Sequence, residues 1–233
     1  MTQPLIRLDK VSLTRGGQPV LTDVSLTIRE SRIGIIGYNG SGKSSLLRLL
    51  CGLLTPDSGE LTVHGLDTRD HQKTLFKTAG LIFQNPDHQL IFPTVIEELC
   101  FGLRNLGCSK ADAIAQAEQI LQRYQREHWR DRPVASLSEG QKQLLCILSV
   151  LLMEPSVLLF DEPYSALDYP TRHQLARVIY DLPQQAIMVS HEPNSFVGFD
   201  RVIWLDQGAI RMDGTPDDVL PAYEAAALAI EAL

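Results

Sequence analysis

Gly37-Tyr38-Asn39-Gly40-Ser41-Gly42-Lys43-Ser44-Ser45 is the stretch from which the fold can be read. The apolar run Ile33 to Ile36 precedes it and reads as a buried strand, and Ser45 to Leu54 follows as a helix. A strand, a glycine loop closing on Lys-Ser and then a helix form a phosphate-binding P-loop, because backbone N–H groups and a helix N-terminus converge on the phosphates. Glycine lets the backbone approach a ligand where a Cβ would obstruct it. Asn39, Gly40, Ser41, Gly42, Lys43, Ser44 and Ser45 are therefore the expected nucleotide contacts. Lys43 would reach the β- and γ-phosphates as a point charge, and the Ser44 hydroxyl would ligate Mg²⁺. A flexible Gly/Ser turn is outweighed by the completeness of the pattern in its strand-to-helix context.

On the N-terminal side, Leu5 to Thr14 and Val20 to Ile28 alternate apolar and polar residues around Gly16-Gly17, as antiparallel strands with one buried face do. Gly59 to Gly65 and Ala79 to Phe83 read as further strands, with a helical stretch expected around Asp70 to Lys77. After Gln84 the pattern turns helical: Thr94 to Leu106, Ser109 to Tyr124 behind a serine cap, and Ser138 to Glu154. Val157 to Phe160 and Ala186 to Val189 return to short apolar strands, with a helix from Thr171 to Leu182 between them. Val202 to Leu205 and Ala209 to Met212 read as a hairpin around Gln207-Gly208. Thr215 starts a short helix, and the alanine-rich end from Ala222 favours helix without an evident role. The expected organisation is an α/β core over residues 1–84 and 154–233, with an inserted helical subdomain over 85–153.

The chain has 233 residues, 44% of them apolar and 21% charged, which suits a globular core. A net charge of -7 argues against a broad nucleic-acid footprint, which an excess of Lys and Arg usually supplies. No run of roughly 18 apolar residues is present to span a bilayer, so a membrane role would require a partner's span. The opening Met1-Thr2-Gln3-Pro4 lacks the basic region and apolar core of a signal peptide. Cys51, Cys100, Cys108 and Cys146 form no C-x-x-C pair and read as small buried hydrophobes in a reducing compartment, the cytosol.

Asp161 ends an apolar strand, where a P-loop enzyme places the carboxylate that holds Mg²⁺ directly or through water. Glu162 follows at once, and two adjacent carboxylates permit a division of labour. One stays on the metal while the other orients and deprotonates water. Leu137-Ser138-Glu139-Gly140-Gln141 combines a serine cap, a glycine and a helix N-terminus, which is either a second anion surface or only an N-cap.

With Gln84, Ser165-Ala166-Leu167-Asp168 and His191 in the same order, these motifs resemble those of the ATP-binding subunits of ABC transporters, from about Leu5 to Val219. The resemblance implies a P-loop NTPase (RecA-like) core with an N-terminal antiparallel β-subdomain and a helical insertion. It further implies ATP and Mg²⁺ as ligands, with the metal held at Ser44, Gln84 and Asp161. Glu162, His191, Lys43 and Gln84 would be the catalytic set, and Ser138, Gly140 and Gln141 would grip ATP held by the opposite subunit. Asp168 would cross the interface of a head-to-tail dimer, either a homodimer or a heterodimer. Gln84 to Leu90, Thr94 to Glu98 and Phe101 to Leu103 resemble the ATPases of energy-coupling-factor importers for vitamins and transition metals. That implies a transmembrane coupling subunit, a substrate-binding membrane subunit and a peripheral place at the cytoplasmic face of the cell membrane. The compact C-terminus is more similar to the biotin-importing type than to the cobalt or nickel type.

Three positions depart from the family pattern. Glu139 stands where the first signature glycine usually lies and is expected to point out along its helix. Leu144 replaces an arginine. Arg15 takes the place of the aromatic residue that stacks on adenine, a role for which a guanidinium plane is also suited. A non-transport ABC ATPase of DNA repair or translation usually carries a long coiled-coil insertion or two cassettes, and neither is present. A P-loop kinase would share Gly37 to Ser44 but has no need of Leu137 to Gln141.

Overall fold

Alternating polarity near the N-terminus and continuous apolar runs farther along demand two kinds of sheet, one half-covered and one covered on both faces. Both occur in the computed structural model, which describes residues 6–165 and 167–231. In chain order the elements are β1 (Ile6–Arg15), β2 (Gln18–Ile28), β3 (Arg32–Ile36), α1 (Lys43–Leu50), β4 (Ser58–Val63), β5 (Leu66–Asp67) and β6 (Ala79–Ile82). They continue with α2 (Val95–Asn105), α3 (Lys110–Arg123), α4 (Glu139–Leu151), β7 (Val157–Asp161), α5 (Tyr169–Tyr180), β8 (Gln185–Ser190), β9 (Arg201–Asp206), β10 (Ala209–Gly214) and α6 (Pro216–Glu231). Leu5, expected to open the first strand, and Ala166, in the motif before Asp168, lie outside the described residues.

Two compact units result. The first takes in the described residues up to Leu81, then Ser156–Glu162 and those from Leu182 onward. The second takes in the described residues of Ile82–Pro155 and Pro163–Asp181.

In the first unit, β2-β1-β4-β5 form an antiparallel sheet and β10-β9-β3-β8-β7-β6 a six-stranded one. β3 pairs in parallel with both β8 and β9, and β7 pairs in parallel with β8. The N-terminal strands bury alternate residues such as Ile6, Leu8, Leu26 and Ile28, whereas β3, β7 and β8 are buried at every position. That contrast is the period-2 pattern of a one-sided sheet against the unbroken pattern of a central one. The carboxyl ends of β3, β7 and β8 deliver the P-loop, Asp161-Glu162 and Ser190-His191. Ligands of open α/β sheets bind at such ends.

In the second unit, α2 packs against α3 and α4, and α4 against α5. Trp129 is buried within it. Buried Glu98 accepts hydrogen bonds from the Ile91 and Phe92 amides at 2.9 Å each, which ties the chain before α2 to that helix.

Several boundaries differ from those expected of the sequence. α1 stops at Leu50, before Gly52, whose positive φ of 76° leaves the helical region. Residues 70–77 form turns and one 3-10 turn, Leu75–Lys77, because only Leu75 in that turn is buried and a helix there would have no apolar stripe. α5 begins at Tyr169, with Asp168 as its cap and Pro170 in its first turn, where proline's missing N–H is not needed. The two expected C-terminal pieces are one helix running through Pro221, and its role is to cover the sheet. Val219 and Tyr223 are buried, and α6 packs on β9 and β10. Cys51 and Cys146 are buried as expected, but Cys100 and Cys108 are only partly so. Among the described residues no helix is long and apolar enough to cross a membrane.

Candidate functional site

The P-loop is held open by its backbone. Gly40 and Gly42 have φ of 81° and 102°, conformations that L side chains rarely adopt. A Cβ on Gly37 would come within 2.2 Å of the Leu205 carbonyl oxygen, so the loop lies directly on β9. Among the described residues nothing lies within 4 Å of the Cβ position of Gly40, which leaves that side of the loop clear of them.

α1 begins at Lys43 with no side-chain cap and no acidic residue in its first turn. By contrast, Ser109, Ser138 and Asp168 cap α3, α4 and α5 with side-chain oxygens. The first N–H groups of any helix have no intrahelical partner and carry the positive end of its dipole. Ser41 is buried, and among the described residues its Oγ has no hydrogen-bond partner. An uncapped N-terminus beside an orphaned buried hydroxyl, over a loop with open space, fits an anionic ligand.

The Lys43 ammonium donates to the carbonyls of Gly37 and Tyr38 at 2.8 and 2.9 Å. Burial holds its pKa below the ordinary lysine value, while Glu162 and Asp161 pull the other way. Ser44 Oγ donates to Asp161 Oδ1 at 2.8 Å, which joins the P-loop hydroxyl to the strand-end carboxylate. Burial raises the Asp161 pKa, and the Ser44 hydrogen bond and Arg48 oppose that shift. Hydroxyl and carboxylate oxygens are the hard donors that Mg²⁺ takes, commonly with one or two carboxylates and several waters.

Glu162 has a φ of 48°, a left-handed conformation for a non-glycine residue. Such strain costs of order 1–3 kcal/mol and tends to gather at working sites. Its Oε2 lies 3.0 Å from His191 Nδ1. The Glu162 side chain is 14% exposed and that of His191 is 50% exposed, so the carboxylate is sheltered and the imidazole open. The first unit thus gathers Asn39 to Ser45, Asp161, Glu162 and His191. Arg15, at the end of β1, is in the same unit and exposed.

Gln84, Ser138, Gly140, Gln141 and Asp168 belong to the second unit. Gln84 is exposed, and its Nε2 is 3.4 Å from Ser165 Oγ. Ser138 caps α4 in a reciprocal box: its Oγ accepts from the Gln141 amide and Gln141 Oε1 accepts from the Ser138 amide at 3.1 Å. A Cβ on Gly140 would meet Thr171 Cγ2 at 2.0 Å, so glycine is required by the packing of α5 on α4. Ser138, Gly140 and Gln141 line one cleft with Arg126 and His128, which adds basic groups to the helix N-terminus. Leu144, the departure from arginine, is buried and lines the same cleft.

An aromatic cluster that no local sequence pattern announces lies beneath the P-loop. Tyr38 stacks on Tyr223 of α6, with centroids 5.1 Å apart, and both rings meet Trp204 of β9 edge-on. The guanidinium of Arg211 lies 4.2 Å from the Trp204 ring centroid. Tyr38 in the middle of a glycine loop was the available signal, but its partners lie far along the chain.

Residues 21–165 match the ABC transporter family. Biotin transport ATP-binding protein BioM of Rhodobacter capsulatus is 48% identical over 225 residues, covering 97% of this chain and 96% of that protein. Energy-coupling factor transporter ATP-binding protein EcfA1 of Caldanaerobacter subterraneus subsp. tengcongensis is 37% identical over 213 residues, covering 88% of this chain and 77% of that protein. The solved structure of cbiO1 from Clostridium perfringens, described as part of the ABC transporter complex cbiONQ, superposes with a TM-score of 0.83 at 27% identity, covering 94% of this chain and 92% of that one. With a P-loop shaped for an anion and likeness along nearly its whole length, this chain belongs to the ATP-binding subunits of ABC transporters, ATPases that drive transport.

Proposed function

We propose that this chain is the ATP-hydrolysing subunit of an energy-coupling-factor importer for biotin, acting as a dimer at the cytoplasmic face of the cell membrane. The observation that carries the substrate is the 48% identity to BioM over nearly the full length of both chains. The likeness to cbiO1 favours a second reading, the same role in cobalt or nickel import.

In the proposed cycle Asn39, Gly40, Ser41, Gly42, Ser44 and Ser45 hold the triphosphate through backbone and hydroxyl groups. Lys43 supplies its ammonium at the β- and γ-phosphates, and Arg15 stacks on the base. Ser44 and Asp161 would hold Mg²⁺, which supplies charge neutralisation at the phosphate oxygens when bound. The Ser44 to Asp161 contact supports that pairing. Glu162 accepts a proton from the attacking water, and His191, in contact with that carboxylate, stays on the open side of the site to meet the γ-phosphate. Ser138, Gly140 and Gln141 of one chain, at a helix N-terminus, complete the site of the other. A membrane coupling subunit and a substrate-binding membrane subunit complete the importer.

The test is to purify the tagged chain from gently solubilised native membranes and identify what accompanies it. The expected result is a transmembrane coupling subunit with a small membrane protein that binds biotin. A companion that binds cobalt or nickel would replace the substrate, and recovery of soluble partners alone would overturn the transport role.

A further inference from the structure

We infer that Lys142 is a positioning residue that neutralises Glu139 at the signature motif and is itself held in place by Asp87. The inference rests on the reading that Ser138, Gly140 and Gln141 meet the γ-phosphate of ATP bound to the opposite chain. Glu139 is the first residue of α4, immediately after the Ser138 cap, so its carboxylate enters the helix at the end that would receive an anion. A carboxylate there favours the helix dipole but repels a phosphate brought to the same N-terminus.

Lys142 lies three residues on, and its ammonium is 3.2 Å from Glu139 Oε1 and 2.8 Å from Asp87 Oδ1. The Lys142 side chain is 13% exposed, whereas those of Glu139 and Asp87 are 53% and 58% exposed. A sheltered cation bridging two solvated carboxylates is oriented more firmly than a free surface lysine. These pairs, the Asp87 bond foremost, raise the Lys142 pKa, so the charge persists at neutral pH.

Asp87 is not a loose partner. It sits in the 3-10 turn Pro86–His88, where its own backbone N–H donates to the capping Asn85 Oδ1 at 2.9 Å. The same segment is laced to α4 twice more, by Gln143 Nε2 donating to the Phe83 carbonyl at 3.1 Å and Gln89 Nε2 to the Cys146 carbonyl at 3.3 Å. Lys142 therefore ties the charge state of the signature helix to the segment that follows Gln84. The arrangement answers the departure at Glu139: a side chain the signature could do without is turned along the helix and its charge is shared.

The experiment follows ATP-driven dimerisation of the full chain in a Glu162→Gln background, by sedimentation across an ATP titration. Lys142→Met should raise the ATP concentration for half-maximal dimerisation by about tenfold, the scale of one uncompensated charge near a phosphate. That defect should shrink as salt is added, since screening acts on charge and not on packing. Lys142→Arg should behave as the parent, and Glu139→Gln combined with Lys142→Met should return the midpoint to within about twofold of it. Failure of that rescue, or an unchanged midpoint for Lys142→Met, overturns the role of Lys142. Ser138→Arg is the separate control. It should abolish dimerisation, and normal dimerisation in that variant would sink the signature reading and this inference with it.

Discussion

Glu162 Oε2 and His191 Nδ1 are 3.0 Å apart, although the two residues immediately follow different strands of the central sheet, β7 and β8. A single contact therefore joins the proposed base to the proposed phosphate partner. Glu162→Gln should reduce phosphate release by at least about a hundredfold while leaving ATP binding intact, the range expected for loss of a general base. His191→Ala should lower kcat by a similar order and KM little. Phosphate-release assays and nucleotide-binding titrations measure both, and normal turnover in Glu162→Gln would remove it from the base role.

Asp161 is a buried carboxylate whose pKa is raised, chiefly by desolvation. In the window between the ordinary carboxylate value and the raised one, the folded state binds more protons than the unfolded state. Stability of the ligand-free protein therefore falls as pH rises through that window and stays reduced above it. Asp161→Asn keeps an oxygen for the Ser44 hydroxyl and removes the charge, so it should raise the melting temperature at pH 7 without nucleotide. Each kcal/mol gained corresponds to about 2–4 °C in a chain of this size. The same variant should lose Mg²⁺-dependent hydrolysis, and an unchanged or lower melting temperature would contradict the burial argument.

Gly140→Ala places a methyl group against Thr171 Cγ2, where only 2.0 Å is available. Overpacking of this kind costs about 1–3 kcal/mol. Thr171→Ser removes the obstructing methyl and keeps the backbone amide that donates to Asp168 Oδ1 at 3.0 Å. The double variant should recover most of the thermal stability that Gly140→Ala loses. Recovery would identify crowding as the reason for glycine here, independently of any contact with phosphate.

Tyr223 is 5% exposed and stacks on Tyr38 within the P-loop. Tyr223→Ala should destabilise the chain by about 3 kcal/mol, the lower end for loss of a buried aromatic side chain. It should also change Trp204 fluorescence, because both tyrosines border that indole. Denaturant melts and emission spectra in a Trp129→Phe background, which leaves Trp204 as the reporter, would measure the two effects. A variant with unaltered Lys43 anchoring would bind ATP normally. A raised Kd for ATP would mean that α6 supports the loop carbonyl to which Lys43 donates.

The P-loop, the Asp161-Glu162 pair and both kinds of sheet were legible from local pattern because their determinants lie within a few residues of one another. Glycines at left-handed positions, apolar runs of strand length and a helix following at once are short-range constraints that backbone sterics and hydrophobic burial impose on any chain. The serine cap of α4 was equally legible, but whether its neighbour Glu139 faced inward was not. Its orientation depends on Lys142 and on Asp87, and the second of these is supplied by a distant turn.

Long-range packing settled what local pattern left open. Residues 70–77 carry helix formers yet bury too little to stay helical, and the alanine-rich C-terminus gained its role only when Tyr223 met Tyr38 and Trp204. Local sterics and polarity select the elements and the chemistry at their ends. Which side chains then share a charge, a cavity or a ring face is decided by contacts between residues far apart in the chain, and no spacing along the sequence encodes those distances.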